Sequence, residues 1–314
     1  MAEYGLTDRA SGEPELLAGG VSCTVIGAGD LVLKQALGKL AVQDEWFAPV
    51  QRIADEAQAL RIAEAVIPGR APRVLHFDPE RQIVVIERAP RDWEDLSTRF
   101  LSGDIAPGIG EELGRLLADW HSGTMRSDYL AAFGDRSRFR ALRVEPFYVT
   151  AAKRAPEVAD RIGQLIVAME ALQVSLVHGD FSPKNVLAGN LSGLWAIDFE
   201  TTHAGDPAFD VAFLLNHVIL KSIHLPEHSG SLDEVARSFL LTYVQAVEPR
   251  IRPNPLHLMA HVSAQMLARV IGKSPAPYLD QGERDRIQEL AEELLLADTE
   301  TLDQILDARD RVAA

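Results

Sequence analysis

Residues 176–200 read LVHGDFSPKNVLAGNLSGLWAIDFE. Two short apolar runs, one ending at Val177 and the other at Ile197, each deliver a carboxylate just beyond the run, Asp180 and Asp198. Runs of this length, punctuated by Gly, Pro, Ser and Asn, read as strands, and a hairpin between them would bring the two loops together. Asn185 follows Asp180 by five residues. Aspartate and asparagine oxygens are hard ligands suited to Mg2+, which takes one or two carboxylates from a protein and completes its shell with water and phosphate oxygens. Three such side chains at this spacing point to a nucleotide.

Upstream the pattern is strand-rich. Residues 15–37, ELLAGGVSCTVIGAGDLVLKQAL, hold β-prone runs at 21–26 and 31–37 around the turn-forming GAGD, which is a hairpin signal. Ile53, Ala57, Leu60, Ile62 and Val66 then recur near helical spacing, with Pro49 placed at the helix start. RVLHFD (73–78) and QIVVIER (82–88) read as two more strands joined at PE. From Leu96 onward the periodicity is helical: residues 108–122, 157–172 and an acidic, leucine-bearing tail over 265–312 are amphipathic.

Composition narrows the function. A chain of 314 residues with no long Pro, Ser or Gly tract predicts one domain of two lobes. The formal charge of -15 argues against binding a phosphate backbone and suits a neutral or cationic small substrate. The single cysteine, Cys23, supports neither a disulfide framework nor a multi-cysteine metal site. No uninterrupted apolar stretch is long enough to cross a bilayer, and the amino terminus lacks the basic and apolar regions of a signal peptide, so the expected location is the cytoplasm. The histidines at 203, 217, 224, 228, 257 and 261 are too scattered for a zinc site, and GKS at 272–274 is no phosphate loop because position 267 is Leu.

His178, Gly179 and Asp180, the four-residue gap to Asn185, and the Asp198 of IDFE together resemble the catalytic and metal-binding loops of the aminoglycoside phosphotransferase and choline kinase superfamily. Protein kinases use H-R-D-x-x-x-x-N and D-F-G loops for the same two tasks. The resemblance covers most of residues 14–216 and implies an α+β, bilobal, protein-kinase-like fold. A small antiparallel-sheet lobe over 1–90 would bind nucleotide, and a mainly helical lobe over 91–314 would carry the catalytic loop and the substrate-binding helices. It further implies that Gly19, Gly20 and Ser22 form the turn over the phosphates, that Lys34 is the strand lysine pairing with them, and that Glu56 is the helix glutamate holding that lysine. Glu87, Arg88 and Ala89, before Pro90, would be the hinge contacting the base through backbone groups, and Asp210 of GDPAFD the buried aspartate that props up the catalytic loop. The amino-terminal lobe is similar to that of 5-methylthioribose kinases, with Trp46 ten residues before Glu56, whereas HGDFSPKN and DFE depart from their loop, which lacks this Asn, and from their D-P-E motif.

The residue chemistry agrees with that resemblance. Phosphoryl transfer has a loose transition state, so alignment and charge stabilisation do most of the work. Asp180 would orient the attacking hydroxyl and accept its proton late, Asn185 and Asp198 would hold Mg2+, and Lys34, aimed by Glu56, would contact phosphate oxygens. The expected activity is transfer of the γ-phosphate of ATP, with GTP as the other compatible donor, to a hydroxyl of a sugar-containing, aminoglycoside or nucleoside antibiotic-like molecule. A metabolic sugar kinase and a nucleotide-binding pseudokinase are the alternatives. The absence of an A-P-E segment between Asp198 and Asp210 argues against a protein substrate. Monomer and homodimer both remain open, as do the roles of Lys184, Arg269 and Lys273. The acidic tail residues Glu289, Glu292, Glu293 and Asp303 read as a solvated helix face, with a polyamine site as the alternative.

Overall fold

The computed structural model describes residues 4–10, 13–17, 23–39, 50–189 and 193–313. Gly19, Gly20, Ser22, Trp46 and Pro49 lie outside them.

The amino-terminal strands β1 (Glu15–Leu16), β2 (Cys23–Ala28), β3 (Leu31–Ala36), β4 (Val74–Asp78) and β5 (Ile83–Glu87) form one antiparallel sheet in the order β1-β2-β3-β5-β4. The hairpin is present, but Ala28 pairs with Leu31, so its turn is Gly29–Asp30 and not all of GAGD. Gly27 and Ala28 stay in the ladder because their backbone groups find partners opposite Val32 and Leu31. One helix, α1 (Arg52–Val66), packs on this sheet through Ile53, Glu56, Ala57, Leu60 and Ala63. That stripe has helical spacing and includes a carboxylate, which must find a partner inside.

After Glu87 the chain leaves the sheet, and β6 (Glu94–Asp95) already pairs with β8 (Val186–Ala188) of the second lobe. Asp95 then caps α2 (Leu96–Leu101), accepting the Thr98 N–H at 2.9 Å. The rest is helical: α3 (Ile109–Gly123), α4 (Ser127–Ala132), α5 (Ser137–Phe139), α6 (Thr150–Arg154), α7 (Ala159–Ala171), α8 (Ala208–His224), α9 (Ser229–Ala246), α10 (Pro255–Ile271), α11 (Gln281–Leu296) and α12 (Leu302–Ala313). A π-helical stretch, Arg140–Val149, joins α5 to α6. Pro146 lies within it, and its missing N–H and bulky ring disfavour a regular α-helical ladder there.

The core of this lobe is α8, whose residues 208–222 are all buried. Against it packs α9, which α3 approaches closely because Gly110 and Gly114 face it: a Cβ on Gly114 would lie 2.6 Å from the Phe239 carbonyl oxygen. Among the described residues no single helix is long and apolar enough to cross a membrane, and α8 with the segment after it passes that test only when joined across a 118° bend.

The strands around the opening stretch pair differently from the expected hairpin. β7 (Ser175–Val177) pairs with β10 (His203–Gly205), while β8 pairs with β9 (Leu194–Ala196), giving two antiparallel pairs, one nested in the other. The 3-10 turn at Pro183–Asn185 separates β7 from β8, since Pro183 has no N–H to continue a ladder. The loops bearing Asp180 and Asp198 still converge, because Ile197 N–H donates to the Asn185 carbonyl at 2.9 Å.

Candidate active site

Lys34 sits in β3 with its ammonium turned inward, where a charge cannot remain unpaired. Its Nζ lies 2.5 Å from Glu56 Oε1 on α1 and 2.6 Å from Asp198 Oδ1 beyond β9. Burial alone would discharge this lysine, but Asp198 and then Glu56 outweigh it and hold its pKa well above the usual lysine value. Desolvation pushes the Glu56 carboxyl up to about 7 against the opposing charge of Lys34. Asp198 is also pressed upward by burial, yet the ammonium prevails and holds it below the usual aspartate value. Of the two carboxylates on Lys34, Asp198 is therefore the one that stays ionised, and Glu56 the one that protonates first.

Asp198 occupies left-handed backbone space, φ 69° and ψ 57°, a conformation that non-glycine residues adopt at a cost of about 1 to 3 kcal/mol. The residues after it hold it there. Phe199 is buried against Trp120 and His178, with ring centroids 5.3 and 4.5 Å away. Glu200 accepts from Arg52 Nε at 2.9 Å, and the fully buried Arg52 also donates to the Leu37 carbonyl at 2.8 Å. The helix that carries Glu56 is thus tied to the loop that carries Asp198 by a second ion pair one turn earlier. Sequence reasoning missed this pair, although an arginine next to the apolar stripe of α1 was a signal for it.

Asp180 is held from a different direction. Asp210, in the first turn of α8, accepts the His178 and Gly179 amides at 2.6 and 2.8 Å and lies 3.1 Å from His121 Nε2. Burial raises the Asp210 carboxyl, and the His121 hydrogen bond and the other donors more than reverse this, so it stays ionised. Gly179 adopts φ +79°, and a Cβ there would lie 2.8 Å from both the carbonyl oxygen and Oγ1 of Thr201. Asn185 Nδ2 donates to the Asp180 carbonyl at 3.0 Å and to its Oδ2 at 2.7 Å. Arg143, from the π-helical stretch, brings Nη2 to 2.9 Å of the same Oδ2 and donates through Nε to the Gly179 carbonyl at 2.7 Å. No spacing in the sequence connects Arg143 to Asp180. His178 itself is buried, its pKa lowered mainly by burial, with Nε2 3.1 Å from the Ile197 carbonyl, a position that suits a structural member of the loop.

A cleft of ≈ 360 Å³ opens between the lobes, lined by Val25, Lys34, Ile86, Ala89, Asn185 and Asp198 among others. Glu87 and Arg88 also line it, but their side chains are engaged elsewhere: Glu87 with Arg73, and Arg88 with Glu15 at 2.7 Å. The Glu87 and Arg88 amides donate to the carbonyls of Arg73 and Asp30 at 3.0 Å, so of the expected hinge residues Ala89 is the one whose N–H has no such partner among the described residues. Lys184 is exposed on the cleft wall, Lys273 is exposed, and Arg269 is buried. With its Nδ2 committed to Asp180, Asn185 keeps its carbonyl oxygen for a hard cation, and together with the neighbouring Asp198 carboxylate this donor set fits Mg2+. In the tail, Glu289, Glu293 and Asp303 are exposed; Asp303 pairs with Arg237 at 2.8 Å and Glu293 with Arg311 at 3.7 Å, as expected of a solvated face.

A strand lysine bridged to a helix glutamate, with paired loops presenting Asp, Asn and Asp across an interlobe cleft, defines a bilobal kinase-like protein. The chain belongs to the phosphotransferase enzyme family, whose sequence model matches residues 24–225. It is 26% identical over 249 residues to the methylthioribose kinase of Citrobacter koseri, an alignment covering 70% of this chain and 61% of that protein. The chain therefore spans about three fifths of the length of the curated relatives it matches. Among solved structures, a choline/ethanolamine kinase family protein from Mesorhizobium loti superposes with a TM-score of 0.53 at 20% identity, covering 97% of this chain and 93% of the other. An ADP-bound aminoglycoside phosphotransferase superposes with a TM-score of 0.51 at 16% identity, covering 94% and 95%. Likenesses at such identity concern the fold.

Proposed function

We propose that this protein is a small-molecule kinase that transfers the γ-phosphate of ATP to an alcohol. The observation that carries this reading is the placement of Lys34, Glu56 and Asp198 in one ion-paired set beside an Asp180 held independently by Asn185 and Arg143. The apolar side chains Val25, Val32, Ile86, Leu187 and Ile197 line the cleft from both lobes and suit a purine base between them, with the Ala89 backbone at its edge. A family match over residues 24–225 and an ADP-bound structural neighbour support nucleotide use.

Each side chain then has a task set by its position. Lys34 keeps its charge in a dry site, where a fixed ammonium stabilises phosphate oxygens better than water could, and Glu56 keeps it aimed. Asn185 and Asp198 would hold Mg2+, which when bound supplies positive charge against the phosphate chain. Arg143 and Asn185 both grip Oδ2 of Asp180, leaving Oδ1 to orient an attacking hydroxyl and to accept its proton as the bond to phosphorus forms. The acceptor is a small hydroxylated molecule, with sugars first in line because the curated relatives act on methylthioribose.

The test is ADP release with ATP and Mg2+ across sugars, nucleosides, aminoglycosides, choline and homoserine, run with Asp180→Ala in parallel. Turnover that vanishes in the variant while ADP still binds supports the assignment. Turnover that survives removes Asp180 from its role, and the absence of nucleotide binding altogether refutes the kinase reading.

A further inference from the structure

On α8 one stripe faces the catalytic loop and continues past it: Asp210, which holds the loop amides, then Phe213, His217 and Lys221 at three- and four-residue steps. Lys221 is fully buried, its Nζ 5.0 Å from the ring centroid of Tyr278 and without a hydrogen-bond partner among the described residues. Two further polar atoms close by share that condition, Arg269 Nε from α10 and the Tyr278 hydroxyl. Arg269 otherwise donates Nη1 to the Ser274 carbonyl and, at 3.1 Å, to its hydroxyl. Arg143 joins this group to the reacting end of the site, since its guanidinium lies 5.8 Å from the Phe213 ring and 2.9 Å from Asp180. Arg143, His217 and Arg269 are each 9% exposed, so the group is buried rather than solvated surface.

The charges do not balance. Burial first, and then the charges of Arg269, Lys221, Arg143 and Lys184, push His217 well below its ordinary value, so its imidazole stays neutral. Facing those cations are Asp180, which Arg143 already holds, and Asp95, whose charge reaches Lys221. Burial and the neighbouring Arg269 press Lys221 down to about 7. A buried ammonium with no acceptor is strongly disfavoured, and proteins retain one where a ligand completes it.

We propose that Lys221, Arg269 and Tyr278, next to Arg143, bind an anionic group on the acceptor, so that the substrate is a hydroxylated carboxylate or phosphate ester. This deepens the kinase reading and rests on it. It runs against the expectation from the net charge of -15, although Asp180, Asp95 and Glu283 are acids whose charges reach Arg269, Lys221 and Tyr278. Among the described residues none from α8 or α10 lines the nucleotide cleft, and Asp95 and Lys184 on its wall are the residues whose charges reach Lys221 and His217.

The test pairs acceptors with and without an anionic group: ribose 5-phosphate against ribose, glycerate against glycerol, with kanamycin as the cationic control and inorganic phosphate as a bare anion. Thermal shift and calorimetry are measured on the wild type, Lys221→Met and Arg269→Gln, alongside ADP release and ADP affinity. The expected result is binding of an anionic compound, additive with ADP, that weakens about ten- to a hundred-fold in either variant, the range for one lost hydrogen bond to a charged group. The unliganded Lys221→Met protein should melt no lower than the wild type, since an apolar chain replaces a buried unpaired charge. Anion binding that is lost in the variants but never accompanied by ADP release would leave the anion site assigned and the phosphotransfer reading refuted. Anions that fail to bind, bind equally to both variants, or compete with ADP overturn the proposal, as does preferred turnover of ribose, glycerol or kanamycin.

Discussion

Replacing Asp210 by Asn exchanges one carboxylate oxygen for an NH2 group and should loosen the catalytic loop. The carboxylate accepts the Gly179 N–H on Oδ1 and the His178 N–H on Oδ2, with His121 also on Oδ2. An amide has one accepting oxygen, so either flip presents an NH2 group to one of the two backbone donors. His121 can adapt by switching tautomer, because the Tyr243 hydroxyl 2.8 Å from its Nδ1 can either donate or accept, but a backbone N–H cannot. One buried N–H left without an acceptor costs about 1 to 3 kcal/mol, and removing the charge from the surviving bond costs roughly 1 more. The expected loss is about 2 to 4 kcal/mol in urea unfolding followed by tryptophan fluorescence, together with faster amide exchange in a peptide spanning residues 175–182. A variant within about 0.5 kcal/mol of the wild type, with unchanged exchange at 178 and 179, would refute the assignment of these amides to Asp210.

Gly179→Ala should lose activity and stability together, because the new Cβ meets a backbone oxygen at 2.8 Å that no rotamer change relieves; normal turnover in this variant would contradict the loop geometry. Arg52→Met should cost about 3 to 5 kcal/mol by taking the opposing charge from buried Glu200, whereas the double variant with Glu200→Gln should cost less than the sum of the singles, and strict additivity would mean that the pair is not coupled. Buried His203 and His261 have pKa values pushed by burial from 6.5 to about 4 and about 3. The unfolded chain therefore binds protons first, so their contribution is complete above pH 6.5 and is lost as pH falls toward 4, at about 1.4 kcal/mol per pH unit for each; a flat urea midpoint between pH 7 and 5 would count against neutral burial. Cys23, raised to about 12 by burial, should alkylate at pH 8 about a thousand-fold more slowly in the native protein than in urea, and equal rates would show an accessible thiolate.

The loops at 176–200 were legible because chemistry constrains spacing. In the proposed kinase reading Asp180, Asn185 and Asp198 must reach one phosphate chain, and only a few short connections allow that. Lys34 was legible for a related reason, a charge inside an apolar run having to meet a partner. The strand pairing was misjudged around the same loops: a three-residue strand carries no mark of its partner, and β7 chose the distant β10 over its nearest neighbour. Arg143, Arg52 and Lys221 carried no signal, and Arg269 stood out without a role, since arginine or lysine on a helix ordinarily lies at the surface.

Alone, the order of residues determined the helical and stranded regions and the spacing of Asp180, Asn185 and Asp198, because periodicity and short-range spacing are local properties of a chain. Which helix faces which loop was decided only when the core closed. Packing α8 at the centre turned Asp210 under the 178 and 179 amides and sank Lys221 beside Arg269, and bent the 137–154 run so that Arg143 reached Asp180. Burial then converted ordinary surface residue types into paired or unpaired charges, and burial is a property of the whole fold.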